Sequence, residues 1–239
     1  MPTQPIYNGD YLVECGDSIV TGGVFNVAEA AITADLAASP TTGRATATGG
    51  QGTATGGVGV SQPIAGSVIF FHRGLSGSRI AYIDVNFATV IANVAPDDVW
   101  IHTGINDVQA PTLLTDFTAS WVSLIAKLQA LPKVPRLWVD SILCDTERWT
   151  AGPLRWSGPH DAPASPSIDD YNAAVIAAMG GYGIYVDARA AFLALEPTGN
   201  PGSADDGYLI APGALKIHPN PTGQAVVSNA LLATVQVIN

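Results

Sequence analysis

A doubly wound α/β fold, three layers with helices on both faces of a central, mostly parallel five-stranded sheet, follows from three features of the sequence. Short apolar runs alternate with longer amphipathic or alanine-rich stretches along most of the chain, the pattern of strand–helix–strand units. Several apolar runs end in glycine-rich or polar tips, which in an open parallel sheet all lie along the carboxyl edge. The composition, 47% hydrophobic and 13% charged over 239 residues, suits a sheet buried under helices and not a disordered chain. That length suits one α/β domain, 1–239, with a substantial core. Two irregular inserts, at about 39–66 and 145–166, are each too short to form a second domain.

The elements follow in order. Tyr11 to Cys15 is the first strand, and Gly16 allows a tight exit from it. The alanine-rich stretch from Val24 to Ala38 predicts a helix. Residues 39–66 are rich in Gly, Thr and Ala, and Thr-Ala-Thr-Gly-Gly occurs twice, at Thr46 and Thr53; this reads as a surface insert. Val68 to His72 is the second strand and Ile80 to Val94 a helix. Val99 to Thr103 is the third strand. Thr112 to Leu131 is the best-supported helix, because Leu113, Leu114, Phe117, Trp121, Leu124, Ile125 and Leu128 recur at helical spacing and Pro132 stops it. Arg136 to Leu143 is the fourth strand. Ser167 to Met179 is a helix ended by Gly180-Gly181. Ile184 to Asp187 is the fifth strand, and Thr222 to Val235 the last helix.

Four short motifs decorate this frame. Gly16-Asp17-Ser18-Ile19 follows the first strand, and the Gly74 segment (His72-Arg73-Gly74-Leu75-Ser76-Gly77) closes the second. Gly104-Ile105-Asn106-Asp107 follows the third, and Ile217-His218-Pro219-Asn220 precedes the last helix. Each alone has an ordinary explanation. A serine after glycine caps helices, Gly74 is a turn glycine, Asn106 suits an Asx-turn, and His218 sits in a loop. Taken in order, Ser18, Gly74, Asn106 and His218 resemble the four signature positions of the SGNH hydrolase superfamily, the GDSL-type esterases and lipases. The resemblance spans positions 15 to 223 and implies the flavodoxin-like SGNH hydrolase fold.

The resemblance also implies roles. Ser18 is the nucleophile and His218 its base, since a serine attacks carbonyls only when a base takes its proton. The oxyanion hole is formed by the backbone N–H groups of Ser18 and Gly74 and by the side-chain amide of Asn106. These residue types suit an oxyanion hole, because glycine lets the oxyanion approach the backbone and an asparagine amide donates without titrating. Asp17 and Asp107 are expected to hold loops. The family usually has an aspartate three residues before the histidine; here that position is Leu215. Two arrangements stay open. Asp205 or Asp206 reaches back to complete a Ser-His-Asp triad, or a backbone carbonyl or water orients His218 in a Ser-His dyad.

Other features narrow the function. The formal net charge is -10, which disfavours nucleic acid and anionic membrane surfaces as partners. No basic start leads into an apolar stretch, so no secretory signal is expected, and secreted and cytoplasmic settings stay open. Cys15 and Cys144 read as buried thiols, and His102 as a core histidine. There is no metal-binding motif, no dinucleotide or phosphate-loop glycine pattern and no Gly-x-Ser-x-Gly elbow, so no cofactor is expected. The 145–166 insert carries Arg148, Trp149, Arg155, Trp156 and His160 beside the edge where Ser18 sits. Trp149, Trp156 and His72 are candidates for substrate contact, with core packing the alternative for the tryptophans and a strand-end role for His72. The expected activity is hydrolysis of short-chain carboxylic esters, with acetyl groups on carbohydrates favoured. A catalytically weak glycan-binding module on the same fold is the rival, and oligomeric state is not legible.

Overall fold

The computed structural model describes residues 4–7, 10–21, 26–38, 68–109, 112–143, 166–194 and 219–238. His218, Asp205, Asp206, Trp149, Trp156, His160 and Cys144, with nearly all of both inserts, lie outside them.

A five-stranded parallel sheet forms the centre. Its strands are β2 (Tyr11–Gly16), β3 (Ile69–Gly74), β4 (Asp98–His102), β5 (Arg136–Asp140) and β6 (Ile184–Val186), in the order β3-β2-β4-β5-β6. The five sequence-predicted strands are these five. β4 is buried along its whole length and β2 from Leu12 onward, as expected of a parallel sheet covered on both faces. Trp100 of β4 stands in register with Trp138 of β5, and the two rings meet edge-to-face at 6.2 Å. After β2 the chain goes to β3 on one side and then to β4 on the other. The strand order therefore reverses between β2 and β4, and open α/β sheets place their crevice at the carboxyl ends of such a pair.

Two helical layers cover the sheet. On one side α2 (Asn26–Ala38) and α8 (Ala188–Ala194) pack on α9 (Pro221–Leu232); on the other α3 (Ile80–Val85) and α7 (Ile168–Met179) pack on α6 (Leu114–Gln129). Helix α6 buries Phe117, Trp121, Leu124, Ile125 and Leu128, and Phe117 meets Tyr171 of α7 edge-to-face at 4.8 Å. Leu113, read as part of that stripe, is instead the exposed N-cap residue. Helix α7 starts with a reciprocal capping box between Ser167 and Asp170 and stops at Gly180 in the left-handed region, φ 54°. Among the described residues no helix is long and apolar enough to cross a membrane.

The structure departs from the expected elements in places. The helix expected from Ile80 to Val94 breaks into α3, α4 (Phe87–Val90) and a 3₁₀ turn at Ala92–Val94. At the first break Asn86 leaves helical geometry (φ -95°, ψ 20°), and both its backbone N–H and its side-chain amide donate to the Tyr82 carbonyl (3.0 and 2.9 Å). The helix expected from Val24 to Ala38 is α2, and a single turn that was not predicted, α1 (Ser18–Thr21), precedes it. A two-stranded parallel sheet, β1 (Gln4–Tyr7) with β7 (Val235–Ile238), was not predicted. Each strand is four residues long and their partners are at opposite ends of the sequence, so no local pattern marks them. The short α5 (Ile105–Gln109) and α8 were also not predicted.

The amino edge of the main sheet is fastened by charge. Arg136 at the start of β5 holds both carboxylate oxygens of buried Asp98 (2.6 and 2.8 Å), pairs with Asp10, and lies 5.0 Å over the Tyr7 ring. Strand β7 follows α9 and pairs with β1, which leads through Asp10 into the start of β2. The C-terminal end of α9 therefore lies toward this amino edge. Its twelve residues, about 18 Å of helix, carry its N-terminal end, at Pro221, toward the carboxyl edge.

Candidate active site

Gly16 is where the site begins. Along the sheet it pairs with Gly74 of β3 on one side and His102 of β4 on the other. A β-carbon on Gly16 would lie 1.9 Å from the His102 carbonyl oxygen and 2.6 Å from the Val20 side chain. Glycine is needed here because the neighbouring strand comes so close. Two residues on, Ser18 opens α1 and is half-buried, while Asp17 before it is fully buried.

The Gly16 carbonyl gathers the loop after β3. It accepts the Leu75 N–H (2.9 Å) and the Ser78 hydroxyl (3.1 Å), which ties the residues following Gly74 to the end of the strand that carries Ser18. From the other flank comes α5. The Asn106 side-chain N–H₂ donates to the Ser78 carbonyl (2.9 Å). Its second N–H is not needed for that bond. Asp107, fully buried, accepts the Ile80 N–H at 3.1 Å and so joins α5 to the start of α3. Burial pushes the Asp107 carboxyl up to about 6, against the pull of Ile80, Thr112 and Arg79. The loop-holding role expected of Asp107 is the one observed.

Gly104, just before α5, has φ +121°, and a β-carbon there would lie 2.5 Å from the Ile142 side chain. Both backbone conformation and space demand glycine. Beneath the site, His102 and Asp140 form a buried pair, Nδ1 to Oδ2 3.3 Å. Burial pulls the His102 pKa down, but Asp140 and Asp17 outweigh it and hold it above its ordinary value. Cys15 is fully buried and burial drives its thiol pKa upward, which makes it an inert core thiol.

Ser18, the Gly74 tip and Asn106 are thus joined through Gly16 and Ser78 at three adjacent strand ends. Asn220 caps α9, accepting the Gly223 N–H at 3.0 Å. Two participants were missed by the sequence reading. Ser78 links two motifs through its hydroxyl and carbonyl, and a serine in a Gly-Ser loop carries no signal of that. Glu14 is a carboxylate inside an otherwise apolar strand, 1% exposed, and that misfit was a legible signal. It receives His72, at 2.7 Å from Nδ1, and His72 Nε2 lies 3.8 Å from Glu29 of α2. Burial raises both carboxyls to about 8.

The model of the GDSL-like lipase/acylhydrolase family matches residues 15–226, the stretch that holds all four motifs. The fold is similar to that of an acetylxylan esterase from Geobacillus stearothermophilus, with a TM-score of 0.63 and 20% identity over 96% of this chain and 95% of that one. It is also similar to an α/β hydrolase enzyme from the metagenome of Lake Arreo, Spain, with a TM-score of 0.60 and 19% identity over 96% of each chain. At these identities the likeness is one of fold. No curated protein matches the chain.

Proposed function

Because the chain belongs to the GDSL-like lipase/acylhydrolase family, we propose that it is a serine esterase acting on short-chain carboxylic esters, with residues 1–239 forming one catalytic domain. The observation that carries this reading is the joining of Ser18, the Gly74 loop and Asn106 at the adjoining carboxyl ends of β2, β3 and β4.

In the proposed cycle His218 takes the Ser18 proton as Oγ attacks the ester carbonyl. The oxyanion is received by the Ser18 and Gly74 N–H groups and by the Asn106 amide, and one such donor is worth about 2.7–4 kcal/mol of barrier. His218 returns its proton to the leaving alkoxide, freeing the alcohol, and water then hydrolyses the acyl-enzyme by the same route. The direction of α9, N-terminal end toward the carboxyl edge, supports His218 as base, since it precedes that helix by three residues. Asp206, or Asp205, is proposed to orient the imidazole, with a Ser-His dyad as the variant. No step calls for a cofactor.

For the substrate we favour acetyl esters on carbohydrate. Trp149 and Trp156, with their neighbouring arginines, suit stacking on a sugar, and they follow β5, whose carboxyl end faces the same edge. The acetylxylan esterase likeness agrees with this choice but is one of fold. Hydrolysis of p-nitrophenyl acetate that disappears in Ser18→Ala, at matched folded concentration, is the expected result. Equal rates in both proteins would overturn the nucleophile. A preference for long acyl chains in a p-nitrophenyl ester series would overturn the substrate class. Leu215, where the family has aspartate, favours one second reading, a weakly catalytic glycan-binding module. Glycan binding by the parent without turnover, unchanged in Ser18→Ala, would select it.

A further inference from the structure

Two residues below Gly74 the sheet carries a cluster that the esterase cycle does not use. Glu14 of β2 and His72 of β3 are cross-strand partners in register, and Glu29 reaches down from α2. One ligand atom from each of the three lies within 4.8 Å of the others. Glu14 is 1% exposed, Glu29 14% and His72 37%, so the cluster is closed at its base and open to solvent past the histidine.

Among the described residues, protein groups alone do not satisfy its polar atoms. Glu14 Oε2 has His72, but Glu14 Oε1 and Glu29 Oε1 are both buried without a hydrogen-bond donor among the described residues. A shared proton can bridge only one oxygen of each carboxylate, and buried carboxylate oxygens without donors are costly. A divalent cation engages oxygens of both glutamates at once. It also balances the charge that both carboxylates carry once their protons have left.

We propose that Glu14, Glu29 and His72 form a binding site for a divalent transition metal of the zinc type. Two carboxylates and one imidazole are a borderline-hard donor set, with ligand bonds of about 2.0–2.2 Å. His72 and Glu29, the less buried members, close the remaining spacing by side-chain rotation, and solvent fills the open positions. The three ligands are spread over positions 14, 29 and 72, so no short motif announces them. The bound cation clamps β2 to β3 and α2 just beneath the strand ends that carry Ser18 and Gly74.

The test is titration of the metal-free full chain with Zn²⁺ by calorimetry and thermal melting, and with Co²⁺ by visible absorption. One equivalent bound is expected, with Tm raised by about 5–10 °C at a hundredfold excess over Kd and a Co²⁺ d–d band. Both responses should be lost in His72→Ala and in Glu29→Gln. Glu29→Gln, which keeps the size and shape of the side chain, keeps the test decisive if His72→Ala folds poorly. No saturable binding by the folded parent would overturn the site. So would binding that survives both substitutions, since the metal would then be held elsewhere. The test reads binding and spectra, so failure of the esterase reading does not affect it.

Discussion

Replacing Gly16 with alanine tests how strand spacing positions Ser18, the proposed nucleophile. The added methyl would sit 1.9 Å from the His102 carbonyl oxygen, about 1.5 Å inside van der Waals contact. That oxygen is backbone on a fully buried strand and cannot swing away. The Val20 side chain, 2.6 Å off on the other side, blocks retreat toward α1. The only relief is for β2 and β4 to part at their carboxyl ends, opening the Asp17 N–H to His102 carbonyl contact, already long at 3.4 Å. Overpacking of this kind costs about 1–3 kcal/mol, or roughly 3–10 °C in Tm for a chain of this size. The same parting displaces Ser18 from the Gly74 loop and Asn106, and a misplacement of ~1 Å is worth about 10²-fold in rate. Melting curves and p-nitrophenyl acetate turnover should therefore fall together. A variant with parental Tm would refute the packing argument. A destabilised variant with parental kcat would refute the claim that strand spacing sets the site.

Three further outcomes follow from the structure. Asn106→Ala should lower kcat by about 10²–10³-fold with a small loss of Tm, and an unchanged kcat would remove Asn106 from the proposed oxyanion hole. Asp107 has a folded pKa raised to about 6 from 3.8 by burial. The folded state therefore holds that proton more tightly than the unfolded chain, and the stability this provides is full below about 3.8 and lost as pH rises through about 6. The Tm advantage of the parent over Asp107→Asn should shrink between pH 4 and pH 7; an advantage that grows with pH would contradict the sign. Arg136→Met leaves buried Asp98 without its guanidinium and should cost about 2–4 kcal/mol in chemical denaturation. Because Arg136 lies at the amino edge, kcat per folded molecule should change less than twofold.

Periodicity alone located the five main strands, because each is a short apolar run bounded by turn residues. It also located α6, whose stripe of Phe117, Trp121, Leu124 and Leu128 repeats at helical spacing and is buried as expected. Motif order, through its resemblance to the SGNH hydrolases, nominated Ser18, Gly74 and Asn106, and the parallel strands that lead to them end on one edge. The break at Asn86 was hidden because apolar spacing continues through it while the backbone there leaves helical geometry, at φ -95° and ψ 20°. The β1–β7 pair was hidden because its register is set across the whole length of the chain. What the amino acids determine by themselves is therefore local, namely which segments become strands and helices and which chemistry each tip carries. The tertiary structure alone decides what needs contact between distant segments. Gly16 is glycine because of a carbonyl 86 residues away, Ser78 joins two motifs through hydrogen bonds, and Glu14 meets His72 and Glu29 only once the sheet has formed and α2 has closed over it.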